Sequence, residues 1–230
     1  MNRNNILFPL SIVIVAVIIA GGVLISNREY KQPELPPTVE IDTKIDIRPI
    51  TNNDHLIGNP NANVIIVEYG DMECPTCKEF HPTMERIIDE YGKNGEVAWV
   101  YRHFTVDEVH PLARGAALAS ECVVDAGKSV MFWDFIRTVY TNAPESLSPE
   151  NLKSIALTVG VDEAKYEACV VLNKFEDKVN ADIADGKIIR EHEPTFGTPF
   201  LIITSQSGSQ LQISGAEEYE SLVEIIEALK

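Results

Sequence analysis

Residues Val64–Glu90 constrain this chain more than any other stretch. Val64-Ile65-Ile66-Val67 is a run of apolar β-branched residues that ends in Glu68-Tyr69-Gly70-Asp71, the pattern of a buried strand closed by a turn. Cys74-Pro75-Thr76-Cys77 follows at once, and Phe80, Met84, Ile87, Ile88 and Tyr91 then recur at helical spacing. The order is therefore strand, turn, helix, with Cys74 at or just before the helix N-terminus and Cys77 one turn further in.

That placement has chemical consequences. Unpaired backbone N–H groups and the positive end of the helix dipole stabilise an anion there, which favours a thiolate at Cys74. Pro75 suits the first turn, where its missing N–H has no intrahelical partner. Two intervening residues keep the sulfurs within bridging distance. Cys74 can then enter mixed disulfides that Cys77 resolves. The same spacing also fits half of a structural zinc site or a passive disulfide. Zinc needs a second close pair of ligands, and the other cysteines, Cys122 and Cys169, each stand alone. No metal or cofactor is expected.

Residues Ile6–Ile25 form 20 consecutive positions without a charge, long enough for a helix to cross a bilayer. Val23-Leu24-Ile25 continues the run past Ala20-Gly21-Gly22, so residues 1–26 are expected to be an uncleaved signal anchor, with a cleaved signal peptide as the alternative. Arg3 lies on one side and Arg28 and Lys31 on the other, so charge does not set the orientation. Cysteine usage does, because four cysteines suit an oxidising compartment outside the cytoplasm. Residues 27–44, with Pro33, Pro36 and Pro37, read as an extended spacer. A formal net charge of −16 with no basic stripe excludes a nucleic-acid partner.

Further along, Ile45–Ile50 alternates apolar and polar residues as a short edge strand does, and Asn52–His55 and Gly58–Asn61 carry turn chemistry. Val97–Tyr101 is a second buried strand, which completes a strand–helix–strand unit of the kind that builds a parallel pair. Helical patterns follow at Leu112–Val124, Lys128–Tyr140, Asn151–Val159, Glu163–Leu172 and Lys174–Arg190. This all-helical run interrupts the sheet as an insertion over about 111–190. Gly197–Thr204 restarts the sheet, Ser207-Gly208-Ser209 turns into Gln210–Ile213, and Tyr219–Leu229 closes as an amphipathic helix. The fold class is α/β, a mixed sheet with an inserted all-helical subdomain, spanning 45–230.

Three motifs carry a resemblance to a known family. They are the segment Val67–Lys78 around the cysteines, His110-Pro111-Leu112-Ala113 with its alanine-rich helix, and Gly197-Thr198-Pro199-Phe200. Together they resemble the thioredoxin superfamily, and within it the DsbA-like thiol–disulfide oxidoreductases with a helical insertion. The resemblance implies that Cys74 is the exposed nucleophile and Cys77 its buried partner. It implies a cis Thr198-Pro199 bond facing the disulfide, where the backbone of Thr198 pairs with an extended substrate. It also implies a buried acid beneath the disulfide, here Glu68, six residues before Cys74. A carboxyl at the end of an apolar strand is desolvated, with a raised pKa suited to relaying the proton of Cys77.

Thr76 stands where the most oxidising members have histidine, so a less oxidising couple is expected; Pro75 and Thr76 border the substrate site. His81 is expected on the helix surface, and Asp71 and Glu73 as solvated charges. The resemblance also implies a structural disulfide between Cys122 and Cys169; two buried reduced thiols are the alternative.

The function that follows is a membrane-tethered enzyme that exchanges disulfides with extracytoplasmic proteins, most readily introducing them. A quinone-linked membrane protein would reoxidise it, as the family implies. An isomerase or reductase could use the same dithiol. A chaperone-like binding module with structural cysteines is the reading from another class.

Overall fold

The computed structural model describes residues 45–143, 147–193 and 195–230. The expected anchor, 1–26, and the spacer, 27–44, lie outside the described residues. No helix among the described residues is long and apolar enough to cross a membrane.

The central strand is β2, Val64–Gly70. It pairs in parallel with β3, Val97–His103, through a helix, α1, Pro75–Ile87, that continues as a wider turn over Ile88–Gly92. A short β1, His55–Gly58, adds antiparallel to β3. On the other side β4, Phe200–Ser205, adds antiparallel to β2, and β5, Gln210–Ser214, to β4. The five-stranded order is β1-β3-β2-β4-β5. Among the described residues, five α-helices run between β3 and β4: α2, Ala113–Ala126; α3, Met131–Asn142; α4, Pro149–Thr158; α5, Glu163–Val171; and α6, Glu176–His192. A last helix, α7, Tyr219–Leu229, ends the chain. The expected mixed α/β architecture is borne out.

Local chemistry explains several of these boundaries. Ser148 and Asp162 cap α4 and α5 by accepting from the N–H groups of Asn151 and Lys165, and Pro149 occupies the first turn of α4. In β2, Val64 and Ile66 belong to the larger apolar core, with α1 and α7, while Val67 and Tyr69 face a second core with α6. This alternation puts Glu68 on the α1 side, the side of the cysteines.

The predicted edge strand at Ile45–Ile50 is not a strand. Its backbone groups go to side chains instead of a ladder: Ile45 exchanges hydrogen bonds with the Gln210 amide, and the Arg48 N–H donates to Asp185 at 2.8 Å. The Arg48 guanidinium binds Asp54 and Asp182, and the fully buried Arg102 binds Asp54 at 2.9 Å and Asp185 at 2.7 Å. The edge strand instead begins at His55, where only turn residues were expected.

Cys122 of α2 and Cys169 of α5 are bridged, with Cα atoms 5.6 Å apart. The bond closes a loop over a sequence separation of 47 residues, which the chain-entropy model values at about 4 kcal/mol. Replacing both cysteines by alanine is expected to lower unfolding free energy by roughly that amount in denaturant titrations, while thiol exchange at Cys74 persists. A loss of exchange in a double variant that is still folded would show that the bridge does more than staple two helices.

Candidate active site

Cys74 occupies the N-cap of α1, in extended conformation, and Pro75 takes the first helical position. No side chain caps the helix, so the orphan N–H groups of the first turn face the Cys74 sulfur. Thr198-Pro199 is cis, and the Cys74 thiol donates to the Thr198 carbonyl at 3.2 Å. Residues 124 apart in sequence thus meet at one sulfur. Pro75 is exposed, Thr76 half-buried and Pro199 buried. Cys74 itself is 7% exposed, less open than the family resemblance implied, and Cys77 is fully buried.

The two thiols sit in opposite electrostatic settings. The Cys77 thiol is the largest influence lowering the pKa of Cys74; the Thr198 side chain and the backbone N–H groups of Cys77 and Thr76 add to it. Against burial they bring Cys74 down to about 5. Burial, the proximity of Cys74 and the charge of Glu68 push Cys77 well above its ordinary value, against the Asp71 N–H, which donates to its sulfur at 3.5 Å. Among the described cysteines only these two are free of a disulfide.

Glu68 lies fully buried, and neither carboxyl oxygen has a hydrogen-bond partner. Burial raises it to about 8; the nearby Trp99 indole N–H favours the ionised form slightly but sits outside hydrogen-bonding geometry. Glu68 pairs in register with Tyr101, whose hydroxyl lies 3.1 Å from that of Tyr140. Gly70 makes this possible, since a Cβ there would fall 2.5 Å from the Tyr101 ring.

Three expectations fail here for one reason, that groups distant in sequence close over the motif. His81 is not on the surface: it is 3% exposed, packed against Trp99 and Tyr140 with ring centroids 5.3 and 4.9 Å away. Asp71 is not solvated either. It is fully buried and accepts from Glu73 N, Val106 N and His110 Nδ1 at 2.8, 2.9 and 3.0 Å. Glu73 is half-buried and accepts from Leu112 N at 2.6 Å, at the start of α2. Sequence reasoning missed Tyr140 as a site neighbour, because nothing local to α3 points to the cysteines.

One cluster among the described residues has donor atoms converging closely enough for a metal: His55, His103 and Glu121. One oxygen of its carboxylate is already engaged, with His55 Nε2, His103 Nε2 and Lys178 Nζ at 2.7, 3.0 and 2.5 Å. Burial alone would raise the Glu121 carboxyl, but His55 and His103 hold it well below the usual range. The cluster joins β1, β3, α2 and α6 as an ion network. It lies apart from the two free thiols in the hydrogen-bond pattern.

Fold and site together define a class: a thioredoxin-like α/β protein with a helical insertion and a C-x-x-C pair at a helix terminus facing a cis-proline loop. The chain matches the thioredoxin family model over residues 50–228 and belongs to that family. Solved structures similar to it include Pseudomonas aeruginosa DsbA2, at 25% identity and TM-score 0.63, with 79% of this chain and 97% of that one covered. BdbD of Bacillus subtilis is similar in fold, at 22% identity and TM-score 0.66, with 82% and 98% covered. A Rickettsia prowazekii protein bearing the name protein-disulfide oxidoreductase is 29% identical over 184 residues, 77% of this chain and 61% of that protein. A Mycolicibacterium gilvum protein named as a Na(+)/H(+) antiporter is 30% identical over 154 residues, 66% of this chain. The match takes in only 24% of that protein's length. The expected DsbA-like resemblance is borne out.

Proposed function

We propose that this protein is a thiol–disulfide oxidoreductase that introduces disulfide bonds into client proteins through Cys74 and Cys77. One observation carries the reading: the Cys74 sulfur sits at an uncapped helix N-terminus, touching the carbonyl of Thr198. In the oxidised enzyme a client thiolate attacks Cys74, the Cys74–Cys77 bond breaks, and Cys77 leaves as a thiolate that takes a proton. A second client thiolate then attacks the client sulfur of the mixed disulfide. The client gains a disulfide and Cys74 departs as a thiolate.

The asymmetry between the thiols supports that direction. A stabilised Cys74 thiolate stabilises the reduced enzyme, which makes the oxidised form the stronger oxidant. Glu68, with its carboxyl at about 8, is the candidate to supply the proton to Cys77. The exposed edge of Pro75 and Thr76 and the Thr198 backbone form the surface against which an extended client segment would align.

The thiolate absorbance at 240 nm of the reduced protein is expected to titrate with a midpoint near 5, against about 8.5 for a free thiol. The couple should equilibrate with glutathione well above the potential of thioredoxin, about −270 mV. A midpoint like that of free cysteine would sink the enzymatic reading. A normal thiolate shift combined with a thioredoxin-like potential would point to the reductase or isomerase alternative.

The cellular setting belongs to the same proposal. Residues 1–26 would tether the domain, through the 27–44 spacer, on the extracytoplasmic side of a membrane, where a quinone-linked membrane protein would reoxidise it. The apolar run Ile6–Ile25 and the cysteine content support this.

A further inference from the structure

Asp71 buries its carboxyl side chain three residues before the nucleophile, and the exchange reaction has no direct use for it. A buried polar side chain is tolerated only where partners surround it. Here two of those donors come from the segment leading into the helical insertion: the Val106 N–H at 2.9 Å and the His110 imidazole at 3.0 Å. The third, Glu73 N–H at 2.8 Å, comes from the loop before the cysteines. Glu73 repeats the connection one step later, accepting from Leu112 N.

The backbone of Asp71 reaches both cysteines. Its N–H donates to the Cys77 sulfur at 3.5 Å, and its carbonyl accepts from Cys74 N at 3.1 Å. The same carbonyl accepts from the Tyr140 hydroxyl at 3.3 Å, and Tyr140 meets Tyr101 at 3.1 Å. The peptide that orients the two sulfurs is thus held by its side chain to residues 106–110 and by its carbonyl to α3.

We propose that Asp71 is a positioning residue for the exchange site: its carboxylate fastens the loop before the cysteines to the helical insertion, and so sets the backbone contacts that tune Cys74 against Cys77. The insertion then acts as a buttress whose contacts fix the poise of the dithiol, in addition to any contact it makes with clients. The inference rests on the oxidoreductase reading above. Without the carboxylate, the Val106 and His110 donors lose their acceptor and the 71–74 loop is freed to drift. The Asp71 N–H then leaves Cys77, and the Cys74 backbone loses its anchor on the Asp71 carbonyl. The Cys74 sulfur shifts against the Thr76 and Cys77 N–H groups, and its thiolate loses part of its stabilisation.

The test compares Asp71→Asn and Tyr140→Phe with the wild-type protein, by thiolate absorbance against pH and by equilibration with reduced and oxidised glutathione. That equilibrium balances as enzyme disulfide plus two glutathione thiols giving enzyme dithiol plus glutathione disulfide. For Asp71→Asn the expected result is a Cys74 midpoint raised by about one pH unit, with the equilibrium constant moved about tenfold toward the disulfide form of the enzyme. Tyr140→Phe, which deletes only one hydroxyl, should move both in the same direction by a smaller factor and keeps the test decisive if Asp71→Asn does not fold. His110→Gln, which retains a side-chain N–H donor, should restore most of the wild-type value. A lowered melting temperature with both redox readouts within twofold of wild type would overturn the proposal and leave Asp71 purely structural. If the wild-type protein itself shows no depressed thiolate midpoint, it is the oxidoreductase reading that fails.

Discussion

Cys74→Ser is expected to reduce disulfide exchange to background, while Cys77→Ser accumulates mixed disulfides with clients that stay intact until a reductant is added. The contrast follows from geometry. Cys74 sits at the helix terminus, 7% exposed and touching the Thr198 carbonyl, whereas Cys77 is fully buried. Once Cys74 of the Cys77→Ser variant has attacked a client disulfide, the serine hydroxyl cannot displace the client sulfur, so the covalent pair persists. Oxidation of a fluorescent dithiol peptide measures the first outcome, and non-reducing gels of variant mixed with an unfolded disulfide protein measure the second. Appreciable peptide oxidation by Cys74→Ser would remove the nucleophile from the proposal. If the variant also bound unfolded chains as well as the wild type, the chaperone-like reading would gain. Neither Cys122 nor Cys169 can substitute, since each is already consumed in the bridge between α2 and α5.

Glu68→Gln should stabilise the folded protein at alkaline pH by several kcal/mol, with the gain vanishing toward pH 4. The sign follows from the burial. The Glu68 carboxyl is raised from an ordinary value of 4.5 to about 8 in the folded state. Below pH 4.5 it is protonated whether folded or unfolded, and burial of the neutral acid carries no ionisation penalty. Between 4.5 and 8 the unfolded chain ionises while the folded one stays neutral, so stability falls as pH rises, at up to about 1.4 kcal/mol per unit. Above 8 the whole penalty is in place, roughly 5 kcal/mol over that interval. Glutamine has no such ionisation and nearly the same shape, so the difference between variant and wild type grows over the same window. Denaturant unfolding at pH 4, 6, 8 and 9 checks it. A difference that does not change with pH would mean that Glu68 is ionised or solvated in the folded protein. The same substitution should slow the step in which Cys77 gains or loses its proton, by about 100-fold, visible in the rate of peptide oxidation. Stability and rate therefore move in opposite directions at pH 8, which separates a proton-handling role from a packing role.

The exchange site thus sets a buried acid that prefers to be neutral near a thiol that prefers to keep its proton, with an acidic, 7% exposed thiol at the helix terminus. Each preference has a separate physical source. Backbone N–H groups and the neighbouring thiol act on Cys74, while exclusion of water acts on Cys77 and Glu68. Arg102 shows the opposite solution to burial in the same sheet: a full charge kept ionised by Asp54 and Asp185.

Much of this was legible before any coordinates. The β-branched run and the apolar spacing after Cys77 each act over a few residues, so the start of strand β2, helix α1 and the position of Cys74 could be read directly; the strand runs on through Gly70, where a turn was expected. The place of Glu68 beneath the cysteines was implied by the family resemblance; in the structure, alternation along β2 puts it on the face of Ile66. The order of helices in the insertion follows from periodicity and breaks of the same short range. What the tertiary structure decided is where charged groups find partners. Asp71 looks like turn chemistry until Val106 and His110, more than 30 residues away, enclose it; His81 looks like a surface residue until Trp99 and Tyr140 close over it. Ile45–Ile50 alternates like a strand, yet Gln210 and Asp185 take its backbone groups. Local propensity is written in neighbouring residues. The burial of a polar group depends on donors supplied by distant segments, and only the folded chain brings those together.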